Sequence, residues 1–149
     1  VAFPLRENTP LSALDIHQQV MAKLAAVGLA DSAQKMPSEI SGGMARRVAL
    51  ARAIAQNPQV MLFDEPFAGL DPIAMDTIAQ LIREQTNQLN AASIVVSHDV
   101  QETFAIADYV YVMHHSKIVA EGTPTQLWGN EDPFIKRFVR WRHGFGGGA

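Results

Sequence analysis

The spacing of apolar residues divides the chain into a helical first third and a longer region in which strands alternate with helices. Apolar side chains recur every three to four positions over 14–27 and again over 43–56, which predicts two amphipathic helices. Asn57-Pro58 ends the second helix, because proline disfavours helical backbone at the residue before it. The inward-facing positions predicted for this second helix are Val48, Ala49, Ala53 and Ile54.

Two short apolar runs, 59–63 and 93–96, have the continuous apolar character of parallel strands that are buried on both faces. A helix is predicted between them over 71–89, because Asp71-Pro72 combines an N-cap side chain with proline at the first helical position. Strands that alternate with helices in this way predict a parallel α/β sheet.

The last third of the chain predicts a hairpin between short helices. A helix over 100–107 is followed by strands over 109–113 and 117–121, which His114-His115-Ser116 joins as an antiparallel hairpin. No third metal ligand is near the two histidines in the sequence, so we interpret them as exposed turn residues. Further helices begin at Thr123-Pro124 and at Asp132-Pro133, the second running to Trp141. Phe134, Phe138 and Trp141 have helical spacing and form a stripe that packs either on this domain or on a partner subunit.

Composition restricts the class of protein. The 149 residues, 48% of them apolar, suit one globular domain. A net charge of −3 gives no electrostatic reason to expect a nucleic-acid partner, since the basic residues cluster only briefly near the end of the chain. The lack of cysteine excludes disulfides and thiolate metal sites. No apolar run approaches the ~20 residues that a membrane-spanning helix requires.

Two adjacent carboxylates, Asp64 and Glu65, follow the first predicted strand directly. Open α/β sheets bind ligands at the carboxyl ends of their strands. One carboxylate there can hold Mg²⁺ through water, because magnesium keeps most of its hydration shell, and the next can orient and deprotonate an attacking water. The alternative is a strand that simply ends in polar loop residues.

Two further motifs are weak when taken singly. Ser41, Gly42 and Gly43 precede a predicted helix, where backbone N–H groups at the positive end of the helix dipole can approach a phosphate. An ordinary capped helix start explains the same residues. His98 follows the second predicted strand and can hydrogen-bond a terminal phosphate, but for this run alone a surface loop histidine is the better explanation.

The order of these motifs resembles the C-terminal half of the ATP-hydrolysing subunit of an ABC transporter. The resemblance implies an α/β fold of the P-loop NTPase type, with a mostly parallel sheet flanked by helices and an N-terminal helical subdomain. It implies that Ser41, Gly42 and Gly43 contact the γ-phosphate of ATP held by a partner subunit. It also implies that Asp64 binds Mg²⁺, Glu65 is the catalytic base, Asp71 links the two subunits and His98 is the switch histidine.

The residues after the glycines indicate a subgroup. The usual signature continues with glutamine, whereas this chain has Met44-Ala45-Arg46-Arg47. Together with Val1-Ala2-Phe3-Pro4-Leu5 and Phe63-Asp64-Glu65-Pro66-Phe67, this run is similar to the ATPases of lipid-trafficking importers of the Mla/Mce-associated type. Arg46, Arg47 and Arg52 are interpreted as a solvated helix face or as partners of ion pairs within the domain.

The phosphate-cradling loop G-x-x-x-x-G-K-[ST] does not occur in this sequence. None of the four lysines follows a glycine. We therefore expect the chain to be the C-terminal part of one ABC ATPase domain, with the phosphate-loop half absent. The expected division is a helical subdomain and signature helix over 1–57, an α/β core over 58–125, and a C-terminal helix and flexible tail over 126–149.

The resemblance implies a head-to-tail dimer with a second copy, a membrane permease as partner, and a small regulatory subunit as a further candidate. It implies a cytoplasmic location, peripheral on the inner face of a bacterial cell membrane, and phospholipid transport powered by ATP. The alternatives are a non-transport ABC ATPase of DNA repair or translation and a non-catalytic regulatory domain. For the 149-residue chain alone we expect no ATP hydrolysis, and we expect association through an unpaired sheet edge at the second strand.

Overall fold

The computed structural model describes residues 1–140, which form two compact units divided between Val96 and Ser97. The first unit contains the helices of the first third and a parallel pair of strands. The second contains an antiparallel pair of strands among three short helices. The division of the chain at 57/58 and 125/126 stays a prediction about the complete domain.

The first unit begins with three helices, α1 (Ala2–Asn8), α2 (Ala13–Ala26) and α3 (Gly42–Ala53). Short 3₁₀ turns over Ala30–Ser32 and Pro37–Glu39 connect the last two. The two predicted helices are confirmed as α2 and α3, the latter ending three residues earlier than expected. Helix α1 was not individually predicted, because its seven residues are too few to show a helical period.

The inward face predicted for α3 is wrong in part. Its buried positions are Leu50 and Ala51, followed by Ile54 and Ala55, all fully or nearly fully buried. Ala49 and Ala53 are exposed. The reason is that these two alanines line an open cleft between α3, β1 and α4 instead of packing against a core.

Strand β1 (Val60–Asp64), helix α4 (Pro72–Leu89) and strand β2 (Ala92–Val96) follow in the predicted order. The two strands pair in parallel, with Val60 opposite Ala92 and Asp64 opposite Val96. Helix α4 has its N-cap at Asp71, as the sequence predicted, and ends at Asn90 in the left-handed conformation. Its buried side chains are Ile78, Ala79, Ile82 and Gln85.

The prediction that both strands are buried on two faces is wrong for the described residues. Met61 is buried, but Leu62 on the opposite face is 75% exposed and Ile94 beside it is 59% exposed. Val60 and Val96 are exposed as well. A continuous apolar run shows that both faces of a strand are suited to burial. It does not show whether the helices or strands that would cover those faces belong to this chain.

The second unit contains α5 (Val100–Ile106), β3 (Val110–His114), β4 (Lys117–Gly122), α6 (Pro124–Trp128) and α7 (Pro133–Val139). The antiparallel hairpin is confirmed, with an irregularity in register at Val112/Met113 and a turn at His115 and Ser116, both in the left-handed region. Phe134 and Phe138 pack against the core of this unit, whereas Trp141 lies outside the described residues. The buried core residues are Val100, Val112, Leu127, Ile135 and Val139.

Candidate functional site

The two carboxylates lie where β1 ends. Asp64 is the last residue of the strand and is exposed, and Glu65 follows it half-buried. The N–H of Glu65 donates a hydrogen bond of 2.8 Å to the carbonyl oxygen of Val96, which extends the parallel pairing by one residue. Glu65 adopts a φ of +46°, a left-handed conformation that is uncommon for a residue with a side chain.

The chain turns sharply after Glu65. The N–H of Ala68 donates to the carbonyl oxygen of Glu65 at 3.3 Å, and Phe67 is completely buried. Gly69 has a φ of +72°, which glycine adopts without steric cost. These features define the 65–71 loop, which joins the carboxylates to the start of α4.

Asp71 closes this loop as the N-cap of α4. Its Oδ1 accepts hydrogen bonds from the N–H groups of Ile73 at 3.1 Å and Ala74 at 3.0 Å, and the residue is exposed. The carboxylate therefore satisfies two backbone donors that would otherwise lack helical partners. The same side chain remains accessible to a partner on its outer side.

Ser41, Gly42 and Gly43 form the N-terminus of α3, which we call the signature segment. Ser41 is the N-cap, and its Oγ accepts from the N–H of Met44 at 3.3 Å. Neither glycine has a positive φ, and a Cβ added to either would meet no atom within 4 Å. The fold of this unit therefore does not itself require glycine here, and the two residues leave a bare helix end open to a ligand or partner.

A cleft of about 520 Å³ brings the signature segment and β1 together. Gly42 and Arg46 border it from α3, Asp64 borders it from β1, and Ile78 and Ile82 from α4. The walls are mostly apolar, and the charged groups are Arg46 and Asp64. An exposed carboxylate at the end of a parallel strand suits a hydrated Mg²⁺, which takes few protein ligands.

His98 belongs to the second unit and is exposed. It lies in a tight turn, because the N–H of Asp99 donates to Ser97 Oγ at 3.1 Å. Asp99 is buried and its carbonyl oxygen accepts from Thr103 Oγ1 at 2.8 Å, which fixes the start of α5. His98 is thus an exposed residue of this turn within the second unit.

Arg46 is a residue whose contacts the sequence did not indicate. Its Nη1 donates to the carbonyl oxygen of Glu65 at 3.3 Å, and its Nη2 donates to the carbonyl oxygen of Ala68. The neighbouring Arg47 instead donates to the carbonyl oxygen of Val27 at 3.3 Å. Contacts of this kind have no sequence signature, because any arginine can reach a backbone carbonyl and the acceptors lie about 20 residues away along the chain.

Comparison with known proteins finds relatives of this chain in both sequence and fold. Residues 4–68 match the family model described as ABC transporter. The structure superposes with a TM-score of 0.79 on cbiO1 from Clostridium perfringens, described as part of the ABC transporter complex cbiONQ. That match has 28% sequence identity and covers 93% of this chain and 55% of the other. Residues 4–68 therefore match the ABC transporter family, and the chain is similar in fold to a subunit of an ABC transporter.

Among curated relatives, the chain is similar to the intermembrane phospholipid transport system ATP-binding protein MlaF. It is 54% identical to the protein of Haemophilus influenzae over 94% of this chain, and 52% identical to that of Escherichia coli over 93%. Identity to the probable ribonucleotide transport ATP-binding protein mkl of Mycobacterium tuberculosis is lower, at 38%. The chain spans about half the length of the MlaF relatives, 53% and 52% respectively. Among the helices described here, none is both long and apolar enough to cross a bilayer.

Proposed function

We propose that this chain is the part of an ABC ATPase that completes and triggers ATP hydrolysis, in a protein that powers phospholipid transport at a bacterial membrane. The observation that carries the proposal is the 54% identity to an intermembrane phospholipid transport ATP-binding protein, which extends over 94% of the chain. The ordered motifs from Ser41 to His98 lie inside that region. The subgroup similarity noted in the sequence agrees with it.

The proposed roles are those that the resemblance to ABC ATPases implies, and the position of each residue supports them. Asp64, exposed at the end of β1, holds Mg²⁺, which when bound neutralises phosphate charge. Glu65 orients and deprotonates the attacking water. His98 contacts the γ-phosphate from its exposed turn. Catalysis of phosphoryl transfer depends mainly on positioning and charge stabilisation, so side chains held by backbone contacts suit these roles.

The signature segment is proposed to act on ATP held by a second copy of the subunit. The open surface around Gly42 and Gly43 supports this, because backbone N–H groups at the end of a 12-residue helix favour anionic groups. Ser41 Oγ supplies one further donor. Asp71 links the two copies from the exposed start of α4. Met44 takes the place of the usual glutamine, so the serine hydroxyl and the backbone amides are the remaining donors to the nucleotide.

The proposed assembly is a head-to-tail dimer joined to a membrane permease, on the inner face of the cell membrane. A small regulatory subunit is a further candidate partner. The helical region of the first unit is the candidate for permease contact, because Phe3 on α1 and Leu14 on α2 are large exposed apolar side chains. A role in DNA repair or translation has less support, since the relatives that are 52–54% identical are named for phospholipid transport.

The test is transport by a reconstituted system. The full-length protein, meaning the polypeptide that contains this chain and a phosphate loop, is assembled with its permease in proteoliposomes that contain a fluorescent phospholipid. We expect Mg·ATP to drive movement of the lipid, and Glu65→Gln to stop it while the assembly stays intact. If the assembly hydrolyses ATP and transports another class of substrate but no phospholipid, the assignment to lipid transport is overturned.

A further inference from the structure

The backbone at Glu65 is held in an unfavourable conformation. With a φ of +46°, this residue lies in a region where its Cβ crowds the backbone, and such conformations persist only where surrounding contacts determine them. The orientation of the Glu65 side chain, the proposed base, depends on this backbone conformation. With an extended backbone, the Cα–Cβ bond would point in a different direction. The contacts that hold the Glu65 peptide groups therefore matter for catalysis.

Besides the hydrogen bond from the Ala68 N–H to its carbonyl oxygen, Glu65 is held by contacts from β2 and from α3. Its N–H donates to Val96 O on the neighbouring strand at 2.8 Å. Its carbonyl oxygen accepts from Arg46 Nη1 at 3.3 Å, and the other arm of the same guanidinium reaches the carbonyl oxygen of Ala68. A planar guanidinium can serve two acceptors at once, and a charged donor makes each bond stronger than a neutral one. One side chain thus spans both ends of the turn that follows the base.

Arg46 lies on α3, one turn after the signature segment. We propose that Arg46 is a positioning residue that holds the 65–71 loop, and with it the Glu65 carboxylate, in the conformation needed for hydrolysis. The inference rests on the proposed function. It links two parts of the same subunit: the helix end that faces ATP on the partner copy, and the base that acts on ATP bound by the subunit's own phosphate loop.

The neighbouring Arg47 provides a matched control. It has the same side chain on the same helix and is also half-buried, but its guanidinium donates to Val27 O at the end of α2. Replacement of either arginine by glutamine keeps helix propensity and removes the charged fork. A general loss of stability in α3 would lower the activity of both variants. Loss of loop positioning would lower the activity of Arg46→Gln only.

The experiment compares Arg46→Gln, Arg46→Lys and Arg47→Gln in the full-length protein, with ATP hydrolysis measured over a range of ATP concentrations. We expect Arg46→Gln to lower kcat by about tenfold or more, because small misplacements of catalytic groups cost up to about 10²-fold. The KM for ATP should stay within about twofold, since the contact does not touch nucleotide. Arg46→Lys should be intermediate, because an ammonium group cannot span both carbonyls.

Hydrogen–deuterium exchange of the same variants gives a second measurement that needs no turnover. Arg46→Gln should speed exchange over 66–70 by about tenfold, the effect of losing roughly one net hydrogen bond. Arg47→Gln should leave that segment unchanged and keep kcat within about twofold.

The outcomes separate the two claims. Equal kcat for Arg46→Gln and the wild type, or equal losses in Arg46→Gln and Arg47→Gln, would overturn the positioning role while leaving the proposed function intact. A wild-type protein that hydrolyses no ATP would overturn the proposed function and the positioning role with it. Unchanged exchange over 66–70 in Arg46→Gln would overturn the claim that this arginine holds the loop.

Discussion

The N-cap at Asp71 gives a stability prediction that separates its structural role from its proposed role between subunits. Asp71→Ala removes an acceptor that serves two N–H groups, at 3.1 and 3.0 Å, at the start of an 18-residue helix. Loss of such a cap costs about 1 kcal/mol, and loss of the carboxylate at the positive end of the helix dipole adds about 0.5 kcal/mol. We therefore expect the free energy of unfolding to fall by about 1.5 kcal/mol.

Asp71→Asn is the informative companion variant. Asparagine keeps an oxygen acceptor for the same two N–H groups and loses only the charge, so we expect a loss of about 0.5 kcal/mol. Urea denaturation of the nucleotide-free, full-length protein, followed by circular dichroism, measures both. With a slope of about 2 kcal/mol per molar urea, Asp71→Ala should lower the midpoint of unfolding by about 0.75 M.

The control is Asp76→Ala, which removes a carboxylate from an exposed position on the same helix. It should change the free energy of unfolding by no more than about 0.5 kcal/mol. Equal destabilisation by Asp71→Asn and Asp71→Ala would refute the reasoning, because it would mean that the charge, and not the capping acceptor, stabilises the start of α4. If both variants keep full stability but lose ATP-dependent dimerisation, the residue acts only between subunits.

Three further predictions concern the core, the exposed sheet face and the isolated chain. Phe67→Ala should lower the free energy of unfolding by about 3–5 kcal/mol, because the side chain is completely buried; urea denaturation measures this, and a loss below about 1 kcal/mol would contradict it. The 149-residue chain expressed alone should associate at micromolar concentration, as measured by light scattering. The double variant Leu62→Thr/Ile94→Thr should associate less, because it removes two exposed apolar side chains from the sheet. A monodisperse monomer of the unsubstituted chain would count against this prediction. The same chain should release no phosphate from Mg·ATP, since it contains no phosphate-cradling loop, and magnesium-dependent turnover would refute that expectation.

Features that depend on residues close together in the sequence were predictable. The helix N-caps at Asp71, Thr123 and Asp132 are examples, because each side chain accepts a hydrogen bond from a backbone N–H two or three residues further on. The parallel pair and the antiparallel hairpin followed from strand length, spacing and turn residues. The order of the site motifs indicated the ABC family, whose model also matches residues 4–68 of the chain.

Features that depend on distant residues were not predictable. The inward face of α3 was assigned correctly only in part, because four of its twelve residues are alanines and these occur on both the buried and the exposed faces. The exposure of Leu62 depends on whether the chain contains a helix or strand that packs over this face of β1. The residues of β1 itself carry no information about that. The contacts of Arg46 to Glu65 and Ala68 arise only after α3 and β1 have packed together.

The proposed function depends above all on Glu65, which is held at the end of β1, acting as the base of a magnesium-dependent ATPase. The most direct measurement is ATP hydrolysis by the full-length protein and by Glu65→Gln at saturating Mg·ATP. A general base contributes about 10²–10⁴-fold, so we expect the variant to lose at least about 10² in kcat while it still binds ATP. Hydrolysis of ATP by Glu65→Gln at the wild-type rate would show that this carboxylate is not the base.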